Sequence, residues 1–506
     1  MRMNKNIYTR TITGINWNLA RVIVLSILKF AASIFLARLI LPADFGIIVI
    51  ATILTGFIGL FSTIGLGSAI IQKKILAENH IRISFTLSII FGILIYIIIW
   101  FLAPFIAIFF KETKLTLILR IISVVVPMNG ITTIGKSMLM REIKFKSLFF
   151  IDIISFFIGY LLIGIILALT GFKIWSLVFG IIANQFINLI LILFITRMPK
   201  KLLIKVKESK ELLGFGSGIS LINIFIFFAN NIDNIIIGRF LSSNQVGLYN
   251  RAFNLMKLPF TNISEPISNV LFSSFSGLQD DIKNIEKAFL RSINSVALIS
   301  FPVLISMALL SKYIILGLYG PNWEGSIKVF QILCISGVLK VIYNLIGSVT
   351  RATGKVFAEV WRQFVFVAIL VGGAVIGIHY GIEGVGIAVL LASIWLYLSM
   401  ASISIKILKS SWKNYFLSQL YGFYLSIILF VLILVMIFVF EKFLPWVPII
   451  YNLFIFIFII ILIYISCILF LPKKVKGDIP GWIIDNYSSH LPSSIRKFLK
   501  KYFNRK

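Results

Sequence analysis

The sequence predicts an all-α membrane protein with about fourteen transmembrane helices, arranged as two pseudo-symmetric lobes of six helices plus two C-terminal helices. Three observations lead to this fold class: an apolar composition, regularly spaced apolar stretches and an internal repeat. Of the 506 residues, 59% are hydrophobic and 13% are charged, and the mean hydropathy is +1.03. Roughly a quarter of the residues in a soluble domain are charged. This composition therefore excludes a soluble enzyme and a disordered chain. Only two cysteines are present, which excludes a disulfide scaffold.

Each apolar stretch is long enough to cross a bilayer, which takes about 20 helical residues. The stretches lie at 16–41, 45–71, 83–110, 115–140, 147–169, 174–196, 213–238, 246–274, 290–319, 326–350, 356–379, 384–405, 417–440 and 447–471. The breaks between them are too short for a large soluble domain. We therefore divide the chain into a first lobe at 1–196, a basic cytoplasmic linker at 197–212, a second lobe at 213–408, two added helices at 409–472 and a basic tail at 473–506.

The net charge of +30 belongs to the breaks between the apolar stretches. Lysines and arginines collect in alternate breaks, whereas the other breaks hold only about four of them, as the positive-inside rule requires. The basic breaks are therefore expected in the cytoplasm, together with both termini. Since the bilayer accounts for the charge, we expect no nucleic-acid partner.

An internal repeat divides the chain into two halves. Four residue pairs recur at offsets of 201 (239 − 38) and 210 (351 − 141) positions: Arg38 with Arg239, Gly46 with Gly247, Arg141 with Arg351, and Gly171 with Gly381. Because each half has an even number of helices, the two halves have the same orientation. The alternative is a chance likeness between segments rich in Ile, Leu and Phe.

Charged side chains inside the apolar stretches indicate a hydrated cavity, because a Lys or Arg at mid-membrane costs about 2.5–3.5 kcal/mol on insertion scales. Seven candidate substrate-binding residues lie on the first, seventh and eighth predicted helices: Arg21, Lys29, Asn230, Asn234, Arg251, Asn254 and Lys257. Bases outnumber acids among these helices, so the cavity suits an anionic substrate such as a phosphate. The alternative is that the charges pair internally and only hold helices together. Weaker candidates in other apolar stretches are Lys136, Lys328 and Lys340.

A second group of charged residues is assigned to gating or ion coupling, namely Arg38, Asp44, Asp233, Arg239 and Glu265. Arg38 is expected at the outer boundary, where it either snorkels to the headgroups or contacts Asp44 or Asp233. For Arg251, pairing with Glu265 is the internal alternative.

The tail and the absence of catalytic patterns complete the prediction. Apolar residues from Ser493 to Phe503 recur at helical spacing among basic ones, which predicts an amphipathic helix on anionic lipids; a solvated tail is the alternative. No carboxylate pair, metal cluster or nucleophile constellation is present in the sequence, so we expect no cofactor and no catalysis.

Five motifs make the chain resemble a known family. They are Arg38-Leu-Ile-Leu-Pro-Ala-Asp-Phe-Gly46, Arg141-Glu-Ile-Lys-Phe145, Asp233-Asn-Ile-Ile-Ile-Gly-Arg239, Gly247-Leu-Tyr-Asn-Arg-Ala-Phe253 and Gly320-Pro-Asn-Trp323. In this order they resemble the Wzx-like polysaccharide transporter branch of the MOP flippase superfamily, over nearly all of 1–470. By similarity, Arg21 and Lys29 match the cationic first helix of flippases, and Asp44 matches the acid that opens the second helix.

The resemblance implies a flippase of the bacterial inner membrane. It implies that an undecaprenyl-diphosphate-linked oligosaccharide, a precursor of O-antigen, lipopolysaccharide or exopolysaccharide, moves to the outer leaflet by alternating access. It also implies polymerase and chain-length proteins as further partners. A lipid II flippase is an alternative, since its substrate carries the same diphosphate. A MATE-type cation antiporter would need carboxylates on the first helix, and a membrane glycan polymerase would need a large outer loop; the sequence has neither.

Overall fold

The computed structural model describes residues 2–63, 65–73, 76–196, 202–205, 224, 227–277 and 281–470. Every regular element among these residues is helical, which confirms the predicted all-α class. Contacts divide the chain into two compact units, Met1–Asn250 and Arg251–Lys506. The lobe boundaries derived from the sequence stay a prediction, and the tail at 473–506 lies outside the described residues.

The first unit contains helices α1 to α7 and the start of α8. Their bounds are α1 Arg2–Leu39, α2 Pro42–Thr63, α3 Glu78–Phe109, α4 Lys114–Ile122 with Val125–Arg141, α5 Phe145–Ser155 with Gly164–Leu169, α6 Ile174–Ile195, and α7 at 227–240. A π-helix, Phe156–Ile163, joins the two parts of α5. A short helix, Leu66–Gln72, follows α2, and the Arg141 guanidinium donates to three carbonyl groups at its C-terminal end.

The second unit contains the rest of α8 and helices α9 to α14. Their bounds are α8 Ser243–Pro259 with Glu265–Ser276, α9 Ile282–Leu309 with Ser311–Leu318, α10 Ser326–Ala352, α11 Val356–Gly377, α12 Gly381–Leu408, α13 Trp412–Phe443 and α14 Ile449–Phe470. A π-helix, Phe260–Ser264, follows Pro259 in α8, where the missing proline N–H interrupts the regular ladder. At one end of α9, Lys312 Nζ bonds Glu441 Oε1 of α13 at 3.0 Å.

The fourteen apolar stretches each correspond to one of these helices in the described chain. Eleven segments are long and apolar enough to span a membrane, and one of them, Phe357–Leu408, contains both α11 and α12. The remaining two are α7, described only over 227–240, and α8, which carries the charged side chains of Arg251, Lys257 and Glu265. The chain is therefore a multi-pass membrane protein.

The first pair of repeat motifs meets in space, within the first unit. Gly46 lies in the first turns of α2, and Gly247 occupies the same place in α8. A Cβ atom on Gly46 would lie 1.6 Å from the carbonyl oxygen of Ser243, and one on Gly247 would lie 2.0 Å from that of Pro42. Each glycine therefore admits the backbone of the other helix, and the contact is reciprocal, as two related copies require.

A later repeat pair shares a backbone conformation. Gly171 has φ +86° before α6, and Gly381 has φ +69° at the start of α12. Left-handed values of this kind favour glycine, because a side chain would meet the backbone. The recurrence in the sequence thus extends to the turns that precede these two helices.

Candidate functional site

A half-buried carboxylate with two basic partners lies inside the first unit. Asp152 of α5 accepts a hydrogen bond from Arg21 Nη1 at 2.9 Å through Oδ2, and one from Lys136 Nζ at 2.8 Å through Oδ1. The side chains of Arg21, Lys136 and Asp152 are 18%, 30% and 13% exposed. Because two cations share one carboxylate, these three groups carry one net positive charge at membrane depth.

Aromatic packing fixes the position of α1 along the axis of α5. Trp17 lies one turn before Arg21, and its ring packs edge-on against Phe149 at 5.0 Å between centroids. Phe149 lies one turn before Asp152, so the two rings and the two charges are stacked along the same helix pair. The position of the ion pair therefore follows from packing one turn away.

Helix α6 completes the site with an amide. Asn188 Nδ2 donates to Asp152 Oδ1 and to Ser155 Oγ, both at 3.1 Å. Arg21 Nε and Asn188 Oδ1 are buried and have no hydrogen-bond partner among the described residues, and the same holds for Asn18 Oδ1, one turn before Arg21 on α1. We refer to Arg21, Lys136, Asp152, Ser155 and Asn188 as the Asp152 cluster. An unsatisfied buried polar atom costs about 1–3 kcal/mol, so the cluster retains capacity for a polar ligand.

Arg21 and Lys136 are candidates predicted from the sequence, whereas Asp152 and Asn188 are not. Asp152 is a lone carboxylate within the apolar stretch 147–169. The cost of a charge in the membrane, which singled out Lys29, applies to Asp152 equally. That signal was present and would have found it.

Lys29 lies outside the Asp152 cluster. It follows Arg21 by eight residues, which is about 12 Å along α1. Its side chain is exposed and makes no ion pair with any part of the chain that the structure describes. The substrate-binding role of Lys29 therefore stays a prediction.

The polar residues of α7 and α8 form a second buried network. Asp233 accepts hydrogen bonds from Tyr249 Oη at 2.7 Å and from the backbone and side-chain nitrogens of Asn234 at 2.8 and 3.0 Å. Asn250 Nδ2 donates to Asn234 Oδ1 at 3.2 Å. Asp233 and Asn234 are buried, and Asn230 is half-buried on the same helix. These bonds join α7 to α8, so Asn234 has a structural role at this position.

The remaining gate candidates lie at the ends of helices. The Arg239 guanidinium lies over the Phe109 ring at 4.8 Å, and Arg38 is exposed in the last turn of α1. Asp44 is half-buried in the first turn of α2, where the helix dipole favours a negative charge.

In the second unit, Arg251 packs against aromatic rings, whereas Lys257 and Glu265 have no such contact among the described residues. Arg251 lies over the rings of Tyr319 and Trp323, at 5.7 and 5.6 Å from their centroids. Glu265, the partner considered for Arg251, is exposed 14 residues further along α8. Neither Lys257, which is half-buried, nor Glu265 makes an ion pair within the described ranges.

Two further polar residues belong to the second unit. Lys340 lies over the rings of Phe253 and Phe260, at 5.2 and 5.1 Å. Asn254 is exposed on α8. The described residues contain no group of three or more His, Cys, Asp or Glu side chains that would hold a metal ion.

The fold is shared with solved membrane transporters. The lipid II flippase MurJ, in an inward closed conformation, superposes with a TM-score of 0.71 over 88% of this chain and 98% of that chain, at 18% identity. An inward-facing MATE-family transporter of the MOP superfamily gives 0.60 over 76% and 95%, at 16% identity. The chain therefore has the fold of this class of multi-pass transporters, which confirms the predicted fold.

Sequence comparisons identify the family. The chain belongs to the polysaccharide biosynthesis protein family, whose model matches residues 35–328. An uncharacterized membrane protein in the cps region of Klebsiella pneumoniae is 26% identical, covering 72% of this chain and 75% of its own length. The lipopolysaccharide biosynthesis protein WzxC of Escherichia coli is 24% identical, covering 83% and 86%. The teichuronic acid biosynthesis protein TuaB of Bacillus subtilis is 24% identical, covering 69% and 73%. The predicted resemblance is confirmed.

Proposed function

We propose that the chain is a flippase that moves an undecaprenyl-diphosphate-linked oligosaccharide, the repeat unit of a surface polysaccharide, from the cytoplasmic to the outer leaflet by alternating access. The family match carries this proposal. The names of the relatives concern lipopolysaccharide, teichuronic acid and, in Rhizobium meliloti, succinoglycan transport. The matched range includes Lys136 and Asp152 and begins after Arg21.

The charges inside the first unit suit the proposed headgroup. Arg21 and Lys136 outnumber Asp152, so the cluster has a net attraction for an anion. An ammonium–phosphate contact at 4 Å contributes about 4 kcal/mol at an effective dielectric constant near 20, before desolvation. Amide and hydroxyl groups beside these cations are suited to sugar hydroxyls, and the polyprenyl chain would stay in the bilayer.

The proposed setting is the inner membrane of a bacterium, with both termini in the cytoplasm. The distribution of basic breaks supports this orientation. Anionic lipids at the tail, and polymerase and chain-length proteins, are the proposed further partners. Translocation by this route requires no covalent step, so we propose no enzymatic activity.

A lipid II flippase is the second candidate, because the MurJ structure shares the fold at a TM-score of 0.71. At 18% identity this likeness concerns the fold alone. The relatives named for lipopolysaccharide and teichuronic acid biosynthesis are both 24% identical over more than two thirds of the chain, and they favour the first candidate.

Depletion of the protein separates these two candidates. We expect an undecaprenyl-diphosphate-linked oligosaccharide to accumulate on the inner leaflet, since its synthesis continues while its export stops. Extraction of lipid-linked sugars and mass spectrometry measure this, and re-expression should reverse it. Accumulation of lipid II with arrest of cell-wall synthesis would favour the second candidate, and no accumulation of either lipid would contradict the proposal.

Lys29→Ala is expected to reduce export about tenfold, because loss of one charged contact weakens binding by about 1.5 kcal/mol. Insertion and thermal stability should be unchanged, since Lys29 makes no ion pair within the described residues.

Arg251→Ala should reduce export as well, but with some loss of stability, because its ring contacts are also removed. Arg251→Lys should restore part of both.

Lys312→Ala is the matched control for these variants, because Lys312 is exposed and paired with Glu441 outside the proposed site. The measurement is the export rate per inserted molecule, compared between each variant and the native chain. Native rates in both Lys29→Ala and Arg251→Ala would remove these residues from the site.

A further inference from the structure

We propose that Asp152 is an exchangeable counter-ion: it holds Arg21 and Lys136 in place while the site is empty, and a phosphate group of the substrate takes its place on these two cations. This inference rests on the proposed function and deepens it. It makes Asp152 a positioning residue whose presence weakens substrate binding and so permits release.

The hydrogen bonds of the cluster leave Arg21 incompletely used. The carboxylate meets this guanidinium through Nη1 alone, at 2.9 Å, and Nε has no partner among the described residues. Each phosphate group of the proposed diphosphate has two non-bridging oxygens, which can accept hydrogen bonds from two guanidinium nitrogens at once. The phosphate therefore offers Arg21 a bond that Asp152, in this arrangement, does not make.

When no substrate is bound, Asp152 compensates part of the positive charge of Arg21 and Lys136. Without it, Arg21 and Lys136 would be two uncompensated cations inside the membrane. Removing one partner of a buried ion pair is strongly destabilising, because the other charge is left without compensation. With Asp152 in place, the cluster keeps one positive charge and can attract an anion without the cost of two bare cations.

The neighbours of Asp152 hold its carboxylate independently of the cations. Asn188 Nδ2 bonds both Asp152 and Ser155, so the carboxylate keeps a hydrogen bond when a cation turns to a ligand. The π-helix of α5 begins at Phe156, directly after Ser155. Such π-helical turns are frequent at functional sites, where they change the direction of side chains.

The test is Asp152→Asn in the full chain, purified in detergent, with undecaprenyl diphosphate as the probe and undecaprenol as the uncharged reference. We expect the variant to bind undecaprenyl diphosphate at least about tenfold more tightly than the native chain, because the competing carboxylate is gone. Export in cells should fall, because release is slower. A purely structural Asp152 predicts weaker or unchanged binding, and either result would overturn the proposal.

Glu441→Gln is the matched control, because it makes the same acid-to-amide change in an ion pair outside the cluster. Its affinity for the probe should equal that of the native chain. If Asp152→Asn does not fold, Lys136→Gln provides the measurement, since it leaves Arg21 and Asp152 as a neutral pair. We expect at least about tenfold weaker binding in that variant, and unchanged binding would overturn the proposal.

Inorganic pyrophosphate distinguishes a lipid headgroup from free phosphate, which has the same chemistry. We expect it to compete only at concentrations far above those of undecaprenyl diphosphate. Equal affinities would assign the cluster to a free anion and overturn its assignment to a lipid headgroup. Failure of the proposed function would appear separately, as an absence of lipid-linked oligosaccharide on depletion, whereas failure of this inference alone would leave that accumulation intact.

Discussion

Export is expected to be lost, with the protein still stable, when the three charges of the Asp152 cluster are removed together by Arg21→Met, Lys136→Met and Asp152→Asn. Replacing a buried ion pair by neutral groups of similar volume is often neutral or stabilising by about 1–4 kcal/mol, so folding should survive. Two charged contacts to the headgroup are lost, at about 1.5–3 kcal/mol each, which corresponds to at least a hundredfold weaker binding.

The measurement is export per inserted molecule, together with the thermal unfolding temperature of the purified protein. Lys312→Met with Glu441→Gln is the control, because it removes an exposed ion pair that joins α9 to α13. That control should export normally. A triple variant that is stable and exports at the native rate would show that the cluster only holds helices together.

Gly46→Ala and Gly247→Ala are each expected to destabilise the protein by about 3 kcal/mol or more. The added Cβ would lie at 1.6 or 2.0 Å from a backbone carbonyl oxygen, and a backbone cannot turn aside as a flexible side chain can. The starts of α2 and α8 would therefore have to separate. A lower unfolding temperature and reduced export should accompany this change.

Gly59→Ala is the control in the same helix, because a Cβ at Gly59 would meet nothing within 4 Å. Alanine is favoured over glycine inside a helix by about 0.5–1 kcal/mol, so this variant should be as stable as the native chain or slightly more so. If Gly46→Ala matched Gly59→Ala in unfolding temperature, the close approach of α2 and α8 would be refuted.

Most of the fold could be predicted because the bilayer imposes a strong and local signal. Each apolar stretch needs only its own residues to be recognised, and each corresponds to a helix in the described chain. The repeat was also visible, since Gly46 and Gly247 stand in matching sequence contexts. That these two glycines touch was not visible, because the sequence contains recurrence but no distances.

The site was less predictable because its contacts join distant parts of the chain. Arg21 and Asp152 are 131 positions apart, and no periodicity along one helix connects them. For Arg251 the sequence predicted a phosphate ligand or, as the alternative, pairing with Glu265. The structure places it over Tyr319 and Trp323, whose ring faces attract a guanidinium without a formal charge.

The reciprocal glycine contact limits how the two halves can be recombined. Each glycine is required by a carbonyl of the other copy, so a hybrid that joins one half to the corresponding half of another transporter must bring glycine at both places. A smaller side chain elsewhere could not make room for a larger residue at either position, because the neighbouring atoms belong to the backbone. Chimeras should therefore be screened first at this crossing, before their specificity for sugars is compared.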